Sequence, residues 1–347
     1  MAKWWAGPVI RFEHVTKRYA DGTVAVDALD LEAPTGKITV LVGPSGCGKT
    51  TSLRMINRMV EPSAGRILLD GHDTAALKPA QLRRGIGYVI QHAGLFPHRT
   101  VIDNVTTVPV LLGQSRRGAR ARGLELLERV GLPAAFADRY PAQLSGGQQQ
   151  RVGVARALAA DPPVMLMDEP FSAVDPVVRG QLQDEFLRLQ DELGKTIVFV
   201  THDIDEAIKL GDQVAVLREG GRLAQVAAPG ELLARPADSF VAGFVGRDRG
   251  YRALGFAKAG TLPLKPDTTS GEWTLVLDDA RHPLGWRRDG EDVLALGGTL
   301  APIDGTLREA LDAALSSPSG RGVVINADGS FAGTVTAAEV LEKIQHE

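Results

Sequence analysis

The chain has 347 residues, with 39 Lys and Arg against 42 Asp and Glu, so its formal net charge at pH 7 is -3. At about 100 to 200 residues per domain, this length predicts two domains. The nearly balanced charge disfavours an extended nucleic-acid-binding surface, so no nucleic-acid partner is expected. Hydrophobic residues make up 44% of the chain and charged residues 23%, which is typical of a soluble globular protein and not of a disordered or collagen-like one.

Cysteine usage and the N-terminal sequence favour a cytoplasmic location. Cys47 is the single cysteine and cannot form an internal disulfide. The apolar run at the N-terminus is too short for a signal peptide. No segment approaches the roughly 18 consecutive apolar residues of a membrane-spanning helix, so any role at a membrane is expected to depend on a partner protein.

Short β-branched runs alternate with helical patterns along most of the chain, which predicts an α/β fold with a largely parallel central sheet. The predicted strands are residues 38–42, 86–90, 164–167, 196–200 and 214–217. Helical patterns dominate from about residue 94 to residue 160, which predicts an inserted helical subdomain. A Gly-rich and charged segment at residues 240–251 predicts a domain boundary.

The helix expected after Pro176 carries an apolar stripe that predicts packing against the sheet. The stripe consists of Leu182, Phe186, Leu189 and Leu193. The polar residues Gln183, Asp184, Arg188 and Asp191 are expected to be directed away from it.

A phosphate-binding loop is predicted at residues 43–50, where GPSGCGKT matches the pattern G-x-x-x-x-G-K-[ST]. It follows the apolar strand at residues 38–42 and precedes a helical run from Thr51, which is the context such a loop requires. Backbone N–H groups at a helix N-terminus would surround the phosphates, with Lys49 reaching the terminal phosphates and Thr50 binding Mg²⁺. The candidate nucleotide-binding residues here are Gly43, Pro44, Ser45, Gly46, Cys47, Gly48, Lys49, Thr50 and Thr51. We also expect a bulky adduct on Cys47 to block ATP binding, although an inert thiol is equally consistent with the sequence.

Two consecutive carboxylates, Asp168 and Glu169, end the buried-strand pattern VMLMDE. A phosphate loop needs one carboxylate near its Mg²⁺ and another to polarise the attacking water. Asp168 suits the metal and Glu169 suits the water.

The segment LSGGQQQR at residues 144–151 resembles the signature sequence of ATP-binding cassette (ABC) ATPases. In that family two cassettes pair head to tail. The resemblance therefore implies a homodimer in which Ser145 and the N–H groups of Gly146 and Gly147, next to Gln148, hold the γ-phosphate bound to the partner's loop. The segment also fits a plain helix start with Ser145 as N-cap.

The other family motifs follow in order. Tyr19, in VTKRY, resembles the aromatic residue that stacks on adenine. Gln91, which follows IGYVI, resembles the glutamine that contacts Mg²⁺ and the attacking water. Asp175, in SAVDP, resembles the dimer-contact loop and also fits an N-cap before Pro176. His202, in VTHD, resembles the switch histidine that contacts the γ-phosphate. The resemblance thus implies Glu169, His202 and Gln91 as catalytic residues and Thr50, Gln91 and Asp168 around the metal.

A narrower resemblance, to ATPase subunits of osmoprotectant importers, lies in LRRGIGYVIQ (residues 82–91), GLFPHRTV (residues 94–101), Asn104 with Val105, and PADSFVAGFVG (residues 236–246). It implies import of a solute such as glycine betaine, carnitine or choline, with ATP and Mg²⁺ as cofactors. Integral membrane permease subunits and, indirectly, an extracytoplasmic substrate-binding protein would be the partners. The chain would then lie at the cytoplasmic face of the membrane.

Two capping boxes, at residues 306–309 and 336–339, flank a predicted β-hairpin with the turn NADG at residues 326–329. The first of the two helices carries an apolar face of Leu307, Ala310, Leu311, Ala314 and Leu315. This order resembles a cystathionine β-synthase (CBS) repeat, and residues 273–277 and 283–286 resemble the strands of an eroded first copy. Nucleotide-binding repeats usually carry Asp where this chain has Glu339, so the resemblance favours a dimerising or ionic-strength-sensing domain at least as much as a ligand site.

The expected architecture is therefore an α/β P-loop NTPase cassette at residues 8–246, with a RecA-like core, a helical subdomain at about 92–160 and an antiparallel β part. A small α+β degenerate CBS-like pair at residues 250–347 follows, with its better-formed repeat at about 299–345. An importer ATPase for another small solute, a soluble mechanical cassette acting on DNA or ribosomes, and a CBS module with a vestigial cassette are the alternatives. Lys49 and Ser145 are only about 95 residues apart without sustained heptads, which disfavours the DNA-repair type of cassette.

Overall fold

The computed structural model describes residues 9–91, 94–172, 174–246, 248–260, 262–292, 294–295 and 298–345, without the side chains of residues 176–178, 344 and 345. Several predicted positions lie outside these described residues, namely the boundaries at residues 8, 92 and 347 and Ala173 of the SAVDP segment. The chain divides into two compact units, Met1–Phe244 and Val245–Glu347, close to the boundary that the sequence predicts.

The first unit contains two sheets. Its strands are β1 Ile10–Arg18, β2 Val24–Ala33, β3 Ile38–Val42, β4 Ala64–Leu69, β5 His72–Asp73, β6 Ile86–Val89, β7 Val164–Asp168, β8 Thr196–Val200, β9 Gln213–Arg218 and β10 Arg222–Ala227. An antiparallel sheet has the order β2-β1-β4-β5, and a six-stranded sheet has the order β10-β9-β3-β8-β7-β6. The predicted α/β class is confirmed.

The six-stranded sheet is parallel except for β10, which pairs antiparallel with β9. All five residues of β3, β7 and β8 are buried, as expected for interior parallel strands covered on both faces. Leu41 pairs with Val200, and Asp168 also pairs with Val200, so β3, β8 and β7 end at one edge of the sheet. The loops after these strands are consequently neighbours in space.

The helices of the first unit connect these strands. They are α1 Lys49–Ile56, α2 Pro79–Arg84, α3 Val101–Leu111, α4 Arg116–Arg129, α5 Gly146–Leu158, α6 Pro176–Leu193, α7 Ile204–Leu210, α8 Pro229–Ala234 and α9 Ser239–Val245. Between β6 and β7 the described chain carries α3, α4 and α5 and no strand, in agreement with the predicted helical insertion. Within the described ranges, no helix has the combination of length and apolar character that a membrane crossing requires.

The predicted apolar stripe of α6 is confirmed for three residues, which are buried: Leu182, Phe186 and Leu189. Its fourth residue, Leu193, is half-buried. The prediction was wrong for Gln183, which is also buried. Its amide Nε2 donates to the Oε1 atom of Glu206 on α7 at 3.2 Å, so a polar partner inside the fold compensates its burial.

The second unit contains a four-stranded antiparallel sheet and a three-stranded mixed sheet. Its strands are β11 Thr269–Ser270, β12 Trp273–Leu277, β13 Pro283–Arg288, β14 Leu294–Ala295, β15 Leu300–Pro302, β16 Arg321–Ile325 and β17 Phe331–Thr336, and its helices are α10 Arg249–Ala253, α11 Leu307–Ser316 and α12 Ala337–Gln345. Both predicted capping boxes form, with Thr306 and Glu309 and with Thr336 and Glu339. On α11 Leu315 is 66% exposed and Ala313 is buried, contrary to the predicted apolar face.

Residues 300–345 follow the order strand, helix, strand, strand, helix, with β15 parallel to β16 and β16 antiparallel to β17. Residues 269–295 form the antiparallel sheet β11-β12-β13-β14, with no helix among their described residues. The assignment of these two parts as a degenerate CBS pair stays a prediction.

Candidate phosphate-binding site

The loop at residues 43–48 has three glycines, and each has a positive φ that residues with a Cβ atom rarely adopt. Gly48 has φ of 93°, and a Cβ atom there would lie 2.1 Å from the carbonyl oxygen of Ala25. Gly46 has φ of 79° with open space around it, so its glycine leaves room for a ligand to approach the backbone. The loop ends at the N-terminus of α1, where unpaired N–H groups and the helix dipole favour an anion.

Lys49 and Cys47 lie inside this loop. The Nζ atom of Lys49 donates to the carbonyl oxygens of Gly43 at 2.8 Å and Pro44 at 2.9 Å. The Sγ atom of Cys47 lies 3.8 Å from the same Nζ atom. Burial raises the pKa of the Cys47 thiol, which favours the inert interpretation of this residue.

Thr50 and Asp168 form an oxygen pair at the edge of the sheet. The Thr50 hydroxyl donates to the Oδ1 atom of Asp168 at 2.8 Å, and the Asp168 side chain is buried. The Nη2 atom of Arg54 lies 3.6 Å from the Oδ2 atom of the same carboxylate. One carboxylate and one hydroxyl oxygen match the hard oxygen ligands of Mg²⁺, which usually takes its remaining ligands from water and phosphate. Among the described residues no group of three or more His, Cys, Asp or Glu side chains forms a metal cluster.

The three predicted catalytic residues come together, because Gln91 and His202 both contact one carboxylate oxygen of Glu169. The Nε2 atom of Gln91 donates to the Oε2 atom of Glu169 at 3.1 Å. The Nδ1 atom of His202 also lies 3.1 Å from that Oε2 atom. Glu169 follows β7, His202 follows β8, and Gln91 follows β6, so the common edge of the parallel sheet brings them together.

The backbone at Glu169 is fixed by its neighbours. Its N–H donates to the carbonyl oxygen of Val200 at 2.9 Å, and its own carbonyl oxygen accepts from the Ser172 hydroxyl at 2.9 Å. These bonds hold a left-handed φ of 46°, which is unfavourable for a residue with a side chain. The chain therefore turns sharply between Asp168 and Glu169, and the two carboxylates serve different partners.

The structure places Tyr19, Ser145 and Asp175 on segments other than the ends of β6, β7 and β8. Tyr19 lies just after β1, is 41% exposed, and has the Lys17 ammonium 5.2 Å from its ring centre. Ser145 is exposed at the N-terminus of α5, where its hydroxyl accepts from the Gln148 N–H at 3.3 Å in a capping box, next to the first helical residues Gly146 and Gly147. Asp175 is exposed just before α6, and its carbonyl oxygen accepts from the Arg179 N–H at 2.8 Å.

Sequence reasoning missed three residues that support the site. Arg54 lies four residues after Thr50 on α1, a spacing that places both on one helix face and that could have indicated it. Ser172 bonds the Glu169 carbonyl, and the buried Gln150 donates through Nε2 to the carbonyl oxygen of Ile90 at 3.4 Å, next to Gln91. The last two contacts depend on tertiary structure and leave no local signal.

Comparison with known proteins supports the same interpretation. The family model described as ABC transporter matches residues 26–172. The osmoprotectant import ATP-binding protein OsmV of Salmonella typhimurium is 50% identical over 283 residues, which is 78% of this chain and 74% of that protein. The carnitine transport ATP-binding protein OpuCA of Listeria monocytogenes is 53% identical over 261 residues, which is 75% of this chain and 63% of that protein.

Among solved structures, a dimeric post-hydrolysis state of the ATP-binding cassette MJ0796 with ADP and Pi is similar to this chain, with a TM-score of 0.59 and 34% identity. The similarity covers 63% of this chain and 98% of that one. CbiO1 from Clostridium perfringens, part of the transporter complex cbiONQ, gives a TM-score of 0.61 at 31% identity and covers 66% of this chain and 92% of its own.

Proposed function

The chain belongs to the ABC transporter family of ATPases, and on that basis we propose that it is the ATP-hydrolysing subunit of an importer for an osmoprotectant such as glycine betaine, carnitine or choline. The observation that carries the ATPase part is the meeting of Gln91 and His202 on the Oε2 atom of Glu169. The solute class is supported by relatives that are about half identical to this chain and are named for osmoprotectant and carnitine transport.

In this proposal the loop at residues 43–50 binds the β- and γ-phosphates of ATP through its backbone N–H groups. Lys49, which donates to the carbonyl oxygens of Gly43 and Pro44, would donate to phosphate oxygens instead when the nucleotide is bound. Thr50 and Asp168 would hold Mg²⁺, together with Gln91 through a water molecule. When bound, Mg²⁺ would offset negative charge on the phosphate oxygens.

Glu169 acts as the general base. Water attacks the γ-phosphorus, its proton passes to the Glu169 carboxylate, and the bond to the bridging oxygen breaks to give ADP and inorganic phosphate. Gln91 and His202 fix the orientation of the carboxylate, because both face its Oε2 atom at 3.1 Å and leave Oε1 for the water. Tyr19 offers an exposed ring on which adenine can stack.

A second copy of the chain completes the site. Ser145 and Gly146 are exposed and Gly147 is half-buried, and Gln148 holds Ser145 in its capping box, so this helix start is available to a γ-phosphate on another molecule. Asp175 lies on the exposed loop that would face that copy. The dimeric cassette structure with ADP and Pi supports this arrangement.

The remaining partners follow from the importer assignment. Integral membrane permease subunits would carry the solute, and a substrate-binding protein outside the membrane would deliver it. The chain itself would be a peripheral protein on the cytoplasmic face.

Reconstitution with the permease and the substrate-binding protein in lipid vesicles tests the proposal. We expect glycine betaine, carnitine or choline, added on the side of the membrane that holds the substrate-binding protein, to stimulate ATP hydrolysis. A transporter carrying Lys49→Ala should show no stimulation, because it binds ATP poorly. An amino acid or a sugar serves as the control solute.

Each outcome addresses a different part of the proposal. Stimulation by the control solute and by none of the three quaternary amines would contradict the solute class. Absence of ATP hydrolysis from the wild-type complex would contradict the enzymatic assignment.

A further inference from the structure

Arg179 contacts the turns before two helices of the first unit, and the proposed mechanism assigns it no role. It is the fourth residue of α6. Its backbone N–H donates to the carbonyl oxygen of Asp175 at 2.8 Å, and its Nη2 atom donates to the carbonyl oxygen of Val174 at 3.2 Å. The first bond is the regular backbone bond at the start of the helix, and the second is made by the Arg179 side chain, which therefore holds the loop before α6 at Val174.

The same guanidinium faces the turn that carries His202. Its Nη1 atom lies 3.8 Å from the Oδ2 atom of Asp203, the residue after His202. The other oxygen of Asp203, Oδ1, caps α7 by accepting from the N–H groups of Asp205 at 2.9 Å and Glu206 at 3.3 Å. The Asp203 carboxylate is thus fixed to the start of α7. The guanidinium of Arg179 therefore pairs with the residue next to His202.

A second contact keeps α6 and α7 in register. Gln183, one helical turn after Arg179, donates to the buried Glu206 carboxylate at 3.2 Å. This bond links the two helices directly, one helical turn from Arg179.

Stability alone does not explain Arg179. A cation near a helix N-terminus opposes the helix dipole. Its Nε atom is buried and has no hydrogen-bond partner in the part of the chain that the structure describes. Its ion pair with Asp203 is too long for a hydrogen bond, and both side chains are about one third exposed, so the pair adds little stability. The Nε–H donor of the guanidinium thus makes no hydrogen bond within the described part of the chain.

We propose that Arg179 is a positioning residue that couples the loop carrying Asp175 to the turn carrying His202. The proposal rests on the proposed function, in which a second copy packs against the Asp175 loop and His202 faces Glu169. Packing of that copy moves the carbonyl group of Val174, the guanidinium that donates to it follows, and its pairing with Asp203 sets the position of His202 next to the Glu169 Oε2 atom. Arg179 touches neither ATP nor the attacking water.

The test compares Arg179→Gln with Asp203→Asn and the double variant in the assembled transporter. Asn caps a helix as well as Asp does, so Asp203→Asn removes the charge and keeps the cap. Arg188→Gln is the matched control, because Arg188 is exposed on the same helix. The measurements are kcat and KM for Mg-ATP, the Kd for ATP, and the Tm of each variant.

We expect Arg179→Gln to lower kcat about tenfold with KM for ATP changed by less than about twofold, because the phosphate loop is untouched. Asp203→Asn should lower kcat similarly, the double variant should be no slower than the slower single variant, and Arg188→Gln should match the wild type. Arg179→Lys, which keeps the charge but cannot pair with Val174 and Asp203 together, should fall between Arg179→Gln and the wild type.

Wild-type kcat in Arg179→Gln would overturn the proposal, as would losses in the two single variants that multiply in the double variant. If Arg179→Gln does not fold, Asp203→Asn and Arg179→Lys decide, and wild-type kcat in both overturns the proposal. An inactive wild-type complex would contradict the proposed function instead, so the two failures are distinguishable.

Discussion

Glu169 has a left-handed backbone directly after the buried strand β7, with φ of 46°. This conformation costs a non-glycine residue on the order of 1 kcal/mol. The hydrogen bonds from Glu169 N–H to Val200 and from the Ser172 hydroxyl to Glu169 hold it in place. The strain has a chemical use, since a regular strand would send Asp168 and Glu169 to opposite faces and the turn keeps both at one edge.

Glu206 supplies a prediction about pH. Burial raises the pKa of its carboxyl, with hydrogen bonds from Thr201 and Gln183 opposing the shift. A raised pKa in the folded state means that its contribution to stability is present below the unfolded pKa near 4.5 and is lost as pH rises through the folded pKa. We expect Glu206→Gln to raise the free energy of unfolding at pH 8 by on the order of 1 kcal/mol and to have less effect at pH 5.

Calorimetric unfolding of the full chain at the two pH values measures this effect. Glu219→Gln, on an exposed residue after β9, is the control and should change neither transition. A Glu206→Gln variant that is less stable than the wild type at pH 8 would show that the fold favours the charged form of Glu206. An equal shift at both pH values would show that the effect does not come from its charge.

At the scale of elements, the sequence pattern predicted those strands and helix starts that depend on neighbouring residues alone. The interior strands β3, β7 and β8 were predicted from short β-branched runs, and the capping boxes at Thr306 and Thr336 from spacing alone. The buried Gln183 and the exposed Leu315 were not predictable in this way. The burial of each depends on what lies opposite it, and only the tertiary structure supplies that.

In the candidate site, too, some features were predictable from the sequence and others required the tertiary structure. The residues of the phosphate loop and the two carboxylates at the end of β7 were predicted from motifs, because each chemistry requires its residue types at a fixed spacing. The sharing of one Glu169 oxygen by Gln91 and His202 was not, since these residues are far apart in the sequence and meet only at the sheet edge. The supporting contacts of Ser172 and Gln150 could not be predicted from the sequence either.

At the scale of the whole molecule, each unit has its own core. One buried cluster in the first unit joins residues from β1 and β2 to residues from β3, β7, β8 and β9, and two clusters fill the second unit. In the second unit Glu339 accepts from the Thr336 N–H and hydroxyl and forms an ion pair with Lys265 at 2.6 Å. This carboxylate is therefore already engaged where a nucleotide-binding CBS repeat would present Asp to a ribose.

We expect a chain ending at Gly246 to hydrolyse ATP within about threefold of the full-length rate when assembled with its permease, because every proposed hydrolytic residue lies in the first unit. If the second unit senses ionic strength, the salt dependence of transport in vesicles should weaken. Unchanged salt dependence together with poorer retention of the ATPase subunits would instead assign the second unit a purely dimerising role.

The central claim is that the edge of the parallel sheet forms an ATP-hydrolysing site with Glu169 as its base. Steady-state ATP hydrolysis and ATP binding by Glu169→Gln in the assembled transporter test it most directly. The account predicts that hydrolysis falls about 10²- to 10⁴-fold, that ATP binding is retained, and that a dimer trapped with ATP accumulates. Turnover of ATP at the wild-type rate by Glu169→Gln would contradict it.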